Sequence, residues 1–376
     1  MSTPRRLCGP AATATDWQGA WGQDKLPPIP LLLLAATGTA AVEGISAAGA
    51  TAESRRRTAA ADAELLVRGP LGHRPHALPP LPAGVSPALI SHVVVDALGL
   101  EPLVVDLGCS VTPAVPHLRP TGAAGGGVAA CLSSGGALAP QRVAALLDLG
   151  RRWGERLVAR GRPLLLSECV PGGTSTAQAL LSGLGLEVEG LVSGSLRQPA
   201  HRLKSELVRR GLAAAQLPAH APPASVVAAV GDAMQPLAAS LTLTAAAAGL
   251  PVLLAGGSQM AAVLALALAL ARTDQREVLA RHAAVVTTAW VAEEAGSDLE
   301  RLLERIGHRW RVEPLAFAAD LRFGAPCHPA LRDYERGYVK EGVGAGGLAL
   351  LWQLRGGSPQ DLAAACDRAC RQLLEA

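Results

Sequence analysis

Aromatic side chains are scarce, at 3% of the 376 residues. Platforms on which nucleic-acid bases could stack are therefore few. No run of five or more lysines and arginines supplies a basic stripe, and the net charge is only +3. Nucleic acid is not an expected partner. Cysteine is present in an odd number, seven, and no pair has C-x-x-C spacing. Cys366 and Cys370 stand four apart without a second Cys or His pair to complete a zinc site. Neither a disulfide framework nor a metal centre is expected, and a reducing cytoplasm fits best. The nine histidines form no H-x-H or H-x-x-x-H pair, which again argues against a metal. No G-x-S-x-G elbow is present, so a serine hydrolase is not expected. Residues 1–26 lack the apolar core of a secretory leader. Residues 241–271 carry no charge, but Pro251, Gly256 and Gly257 interrupt them. The unbroken part, 260–271, falls far short of the roughly 20 residues a membrane span needs.

What is present is apolar content, 49% of the chain against 17% charged residues, which is a folding composition. Short apolar runs at 29–35, 103–107, 163–167, 251–255 and 283–288 read as buried strands. Helical composition follows or precedes them at 52–68, 141–160, 175–183, 200–210, 224–248, 298–306, 344–354 and 359–374. A break is expected near Pro236. Residues 73–87 form a Pro-rich loop and 121–136 a Gly/Ala/Ser-rich one. Strands alternating with helices predict an α/β fold with a doubly wound, mainly parallel, Rossmann-like sheet and a smaller helical lobe. Ligands in such folds bind beyond the carboxyl ends of the strands. Residues 1–27 read as a loose N-terminal arm and 28–376 as a single domain.

Three Gly-rich turns stand out. Ser167-Glu168-Cys169-Val170-Pro171-Gly172-Gly173-Thr174 follows a strand, and its glycines let backbone N–H groups approach a phosphate. It lacks the Walker lysine. A plain capped βα turn explains it equally well. Leu254 to Met260 also joins a strand to a helix, and there close packing is the better reading. Asp232 is placed near its mouth. The third turn is Lys340-Glu341-Gly342-Val343-Gly344-Ala345-Gly346-Gly347. Gly342, Gly344 and Gly347 satisfy G-x-G-x-x-G, but no strand precedes them and no βαβ unit follows. A carboxylate among glycines instead suits a base whose substrate packs against bare backbone. Adjacent Glu293 and Glu294 read as a solvated pair. Lys204 shares a basic helix with Arg202, Arg209 and Arg210, whose default is also to face solvent.

In order and spacing the three turns resemble the nicotinate-nucleotide:dimethylbenzimidazole phosphoribosyltransferase family, and more closely its divergent archaeal and cyanobacterial branch. Glu43-Gly44-Ile45-Ser46-Ala47-Ala48-Gly49-Ala50 resembles that branch's opening motif. The resemblance spans roughly residues 29–354. It implies a cytoplasmic homodimer whose 28–376 domain moves phosphoribosyl from nicotinate mononucleotide to an aromatic base, dimethylbenzimidazole or adenine, without metal or cofactor. The product is an α-ribazole-type phosphate for the lower ligand of a cobamide. By the same resemblance Glu341 is the general base and Glu168 a second acid near the ribose. Gly172, Gly173 and Thr174 receive the nucleotide, Lys204 lies near its phosphate, and Thr287 and Thr288 form a polar turn there. Gly342 and Gly344 border the substrate. The chain departs from the family in carrying Thr174 where an Asn is usual, and its base-recognition segment has no clear counterpart. Two other readings stay open: a nucleotide-dependent oxidoreductase and a non-catalytic nucleotide- or base-binding sensor.

Overall fold

The computed structural model describes residues 4–375. Seven strands form one sheet: β1 (Arg5–Cys8), β2 (Ile29–Leu34), β3 (Leu103–Asp106), β4 (Leu164–Cys169), β5 (Val252–Ala255), β6 (Ala283–Thr288) and β7 (Leu315–Ala319). Their order across the sheet is β1-β7-β6-β5-β4-β2-β3. All neighbours are parallel except β1, which runs antiparallel to β7. The chain winds outward from β2 to β3, then returns to β4 on the opposite side and proceeds to β7. The winding reverses between β2 and β4, and an open crevice forms at such a reversal.

The strands read as unbroken apolar runs because helices cover both faces. Side chains alternate between two cores. Leu31, Leu33, Leu164, Leu166 and Val285 enter one; Leu32, Leu34, Leu165, Val286 and Phe317 enter the other. The first face carries helices Pro140–Val158, Gly173–Gly183, Met234–Ala247, Ser258–Leu270 and Leu299–Trp310. The second carries Ala11–Gly19, Thr58–Arg68, Ala88–Ala97, Ala345–Leu354 and Pro359–Glu375. Small residues set the spacing. A Cβ on Gly150 would stand 2.5 Å from the Leu237 carbonyl, so only glycine lets these two helices meet.

The structure corrects several expectations. Residues 1–3 of the expected loose arm lie outside the described residues, but Arg5–Cys8 form a strand and Ala11–Gly19 a helix. Strand β1 covers the edge of β7, and Trp17 and Trp21 are buried. Trp17 stacks on Phe317 at 5.2 Å and donates its indole N–H to the His282 carbonyl. The segment lacks periodicity, yet it buries two of the chain's few aromatics. The break expected at Pro236 falls instead at Gly231–Ala233, between helices Pro223–Val230 and Met234–Ala247. Pro236 lies in the first turn of the second helix, where a missing N–H costs little. Residues 52–68 form two helices, Ala52–Arg55 and Thr58–Arg68.

Candidate active site

A cavity of about 360 Å³ opens at the carboxyl ends of the strands, beside the reversal between β2 and β4. Residues of all three Gly-rich turns line it, including Glu168, Thr174, Gln259 and Glu341.

Glu168 is the penultimate residue of β4 and only 4% exposed. Its Oε2 accepts from the Val170 N–H at 2.9 Å and its Oε1 from Gln259 Nε2 at 2.7 Å. Burial, helped by the nearby Asp232 and Glu341 carboxyls, pushes it up to about 8. Burial therefore favours the protonated form of Glu168. Gly172 turns the chain with φ 83°, and a Cβ there would crowd the Thr37 hydroxyl at 2.9 Å. Gly173 starts the following helix, and a Cβ on it would fall 1.7 Å from Gln259 Oε1. Thr174, in the first helical turn, faces the same cavity.

Glu341 is half-buried and accepts four hydrogen bonds. Thr287 Oγ1 and the Thr288 N–H donate to Oε2, each at 3.0 Å. The Gly342 and Gly346 N–H groups donate to Oε1 at 3.0 and 3.2 Å. The carboxyl keeps a face on the cavity. The surrounding protein desolvates it and raises its proton affinity above the ordinary glutamate range, against the lowering effect of those donors. The loop that holds it is twisted: Val339, Lys340 and Val343 have φ of 65°, 63° and 53°. Its closure is fixed by the Val343 N–H, which donates to the Glu168 carbonyl at 3.0 Å. The two acidic residues are thus joined through backbone.

The glycines of the G-x-G-x-x-G pattern serve close packing. A Cβ on Gly344 would stand 2.6 Å from Ser167 Cβ, and one on Gly347 would stand 2.3 Å from Ala255 Cβ. Gly342, with φ 150°, lines the cavity against Pro87.

Other candidates fall elsewhere. Lys204 is fully buried and outside the cavity lining, and its Nζ donates to the Ser193 carbonyl. It stands behind Ser193, Gly194 and Ser195, which do line the cavity. Desolvation lowers its pKa to about 7; Lys340 adds to the lowering and Glu294 opposes it. Thr287 and Thr288 hold Glu341, and Thr288 Oγ1 also donates to the Lys340 carbonyl at 2.6 Å. Asp232 is not at the mouth. It is fully buried, and Thr176 Oγ1 donates to it at 2.6 Å. Glu293 is exposed and pairs with Arg5 and Arg322, but Glu294 is no solvated partner to it. The Glu294 side chain is buried in an ion pair with Lys340 at 2.5 Å. Lys340 also donates to the Leu196 carbonyl at 2.7 Å. Sequence reasoning missed Lys340 and Asp62, both of which line the cavity. Adjacency to Glu341 was the available signal for Lys340, and Asp62 had none beyond a lone acid among alanines.

The sequence model of a phosphoribosyltransferase family, DBI_PRT, matches residues 89–295. The chain belongs to this family. Similar proteins include a UPF0284 protein of Prochlorococcus marinus (strain MIT 9313), 53% identical over 369 residues, 96% of this chain and 91% of that one. A second, from Parasynechococcus marenigrum (strain WH8102), is 54% identical over 349 residues, 92% of this chain and 87% of its own. Among solved structures, CobT from Thermus thermophilus superposes with a TM-score of 0.59 at 23% identity, covering 96% of this chain and 87% of that chain. A nicotinate-nucleotide-dimethylbenzimidazole phosphoribosyltransferase structure from the same organism gives 0.59 at 22% identity, with the same coverage. These likenesses establish the shared α/β fold. As a member of its family this phosphoribosyltransferase is a pentosyltransferase. Among the described residues no helix is long and apolar enough to cross a membrane.

Proposed function

We propose that this phosphoribosyltransferase transfers phosphoribosyl from nicotinate mononucleotide to a ring nitrogen of an aromatic base, dimethylbenzimidazole or adenine, giving an α-ribazole-type 5′-phosphate and free nicotinate. The observation that carries the reading is the pairing of Glu168 and Glu341 on one cavity at the strand ends, in a chain of this family. The names of the superposing structures supply the donor and one acceptor.

The donor's nicotinate ring is a pyridinium. When the C1′–N bond breaks, its electron pair returns to the ring, which leaves as a neutral heterocycle and needs no general acid. Positive charge develops at C1′. The pyridinium charge of the bound donor favours the ionised form of Glu168, whose proton passes to solvent as the donor binds, and the carboxylate then stabilises the oxocarbenium character of the transition state. The acceptor's nitrogen lone pair forms the new bond to C1′ from the opposite face, inverting the centre. Its second ring nitrogen loses a proton to Glu341. Four fixed donors orient that carboxylate, and its raised proton affinity suits the task.

Gly172, Gly173 and Thr174 are assigned to the nucleotide, Gly342 and Gly344 to the substrate border. Lys204 attracts the phosphate from behind Ser193–Ser195, and Thr287 and Thr288 are assigned to positioning Glu341. The seven cysteines are all free, which supports a reducing, cytoplasmic setting. Exposed Leu103 and Leu118, where the Leu118 segment bridges the outer edge of β3, support a homodimer.

The test is incubation with nicotinate mononucleotide and a panel of bases, read by mass spectrometry. The expected result is a base-dependent nucleotide with one nicotinate released per transfer. Binding of the nucleotide with no product from any base would replace this reading with a sensor.

A further inference from the structure

The cavity holds a third carboxyl that the transfer chemistry leaves unused. Asp62 lies on helix Thr58–Arg68, between Ala61 and Ala63, and lines the cavity although only 5% exposed. Ser86 Oγ donates to its Oδ1 at 2.6 Å, and Cys169 Sγ to its Oδ2 at 3.4 Å. Those two partners fix its place relative to the chemistry. Cys169 is the residue after Glu168. Ser86 precedes Pro87, whose ring packs so closely on Gly342, the residue after Glu341, that a Cβ there would lie 2.9 Å away. Asp62 therefore sits between the approaches to both acids.

The wall beside it is apolar and stiff: Pro79, Pro80, Leu81 and Pro82 line the same cavity. It is pinned from behind. Tyr334 donates its hydroxyl to the Val85 carbonyl at 2.8 Å, and the Gly84 N–H donates to Asp333 at 2.9 Å. Proline rings against a cavity suit the face of a flat heterocycle. A carboxylate on that wall needs something else. It offers about four acceptor positions, and one hydroxyl and one weak thiol donor occupy only two. Burial pushes the group up to about 6, which reflects the cost of holding its charge away from water. A buried anion with acceptor capacity to spare is costly unless its ligand donates to it.

We propose that Asp62 selects the acceptor, favouring an amino-substituted heteroaromatic base over a methyl-substituted one. The inference rests on the reading that this cavity takes an aromatic acceptor. The ring lies along the proline wall. Its reacting edge gives a proton to Glu341, and an amino hydrogen on its rim makes a charge-assisted bond to Asp62. A methyl at the same place would desolvate the carboxylate and return nothing.

The test compares 4- and 5-aminobenzimidazole with benzimidazole and 5,6-dimethylbenzimidazole, using nicotinate mononucleotide as donor. The wild type is expected to show its highest kcat/KM with an amino-bearing ring. In Asp62→Asn and Asp62→Ala the amino-to-dimethyl ratio of kcat/KM falls about 10- to 100-fold, the range for losing a hydrogen bond to a charged group. The change resides in the acceptor KM. Asn keeps an acceptor for Ser86, and a cooperative melt confirms its fold. A wild-type preference for the dimethyl ring, or an equal loss with every acceptor, would overturn the proposal. If no nucleotide forms with any base, the transfer reading fails by itself, and calorimetric titration of the same bases decides the role of Asp62. Amino-selective binding that weakens in Asp62→Asn supports selection; affinity that ignores the amino group or the substitution sinks it.

Discussion

Glu341 accepts four hydrogen bonds, three from backbone N–H groups that can only donate and one from the Thr287 hydroxyl. Glu341→Gln would turn an NH2 group onto at least one backbone N–H, so the substitution removes the proposed base and its alignment together. kcat is expected to fall by about 10²- to 10⁴-fold, while calorimetry finds nucleotide binding retained. As the proposed base Glu341 must be ionised, and its proton affinity is raised, so the acidic limb of kcat should bend above the pH of an ordinary glutamate. Glu168 makes a separate claim on stability. Its folded value of about 8 lies above the ordinary 4.5. The stability it contributes is therefore fully present below about pH 4.5 and is lost as the pH rises toward 8. Glu168→Gln should flatten the decline in unfolding free energy across pH 5 to 8, as read by urea titration. Lys204 has the opposite sign, its value lowered from 10.5 to about 7. A phosphate drawn to Ser193–Ser195 would recharge it. Wild type should take up more protons on binding nucleotide at pH 8 than Lys204→Met does, and Lys204→Met should raise the nucleotide KM. Calorimetry in buffers of differing ionisation heat checks the first. Glu341 stood out in sequence because glycines follow it, whereas Glu168 was singled out by the family resemblance. Asp62 and Lys340 were not, since a buried charge on a helix or in a loop has no pattern until its partners are placed.

At the scale of elements, the helix Ala345–Leu354 shows why glycine follows Glu341. A Cβ on Gly346 would lie 2.2 Å from the Thr287 carbonyl carbon and 2.6 Å from Glu341 Oε2. Gly346→Ala should therefore destabilise by about 1–3 kcal/mol through overpacking, lower the melting temperature, and reduce kcat more than it changes the nucleotide KM. The central strands were legible because two-sided burial makes them unbroken apolar runs. β1 and β7 were not. β7 is a five-residue run, Leu-Ala-Phe-Ala-Ala, poor in the β-branched residues that mark a strand. β1 carries two arginines, since an edge strand is wet on one side. The break at Gly231–Ala233 was misplaced at Pro236 because proline stops a helix only beyond its first turn.

For the molecule as a whole, the N-terminal segment closes one flank of the sheet. Removing residues 1–21 would strip β1 from β7 and uncover Phe317, which Trp17 stacks upon. The truncated chain should melt lower and aggregate on heating through the bared strand edge; light scattering during a thermal ramp measures it. Which side of the sheet would be open was not legible, because strand order emerges only when all crossovers are placed. The placement of strand ends did follow from the βα alternation, and with it the location of the cavity. The cavity's two sides have separate origins. Glu168, Gly173 and Gln259 stand on the crest of β4 and β5, whereas Asp62 and the proline wall come from residues 58–87, a stretch of chain with no strand in it. Heritable change in the second can proceed while the first stands still. On the proposed roles, acceptor preference could then shift by change in that one short segment, with the donor side left intact.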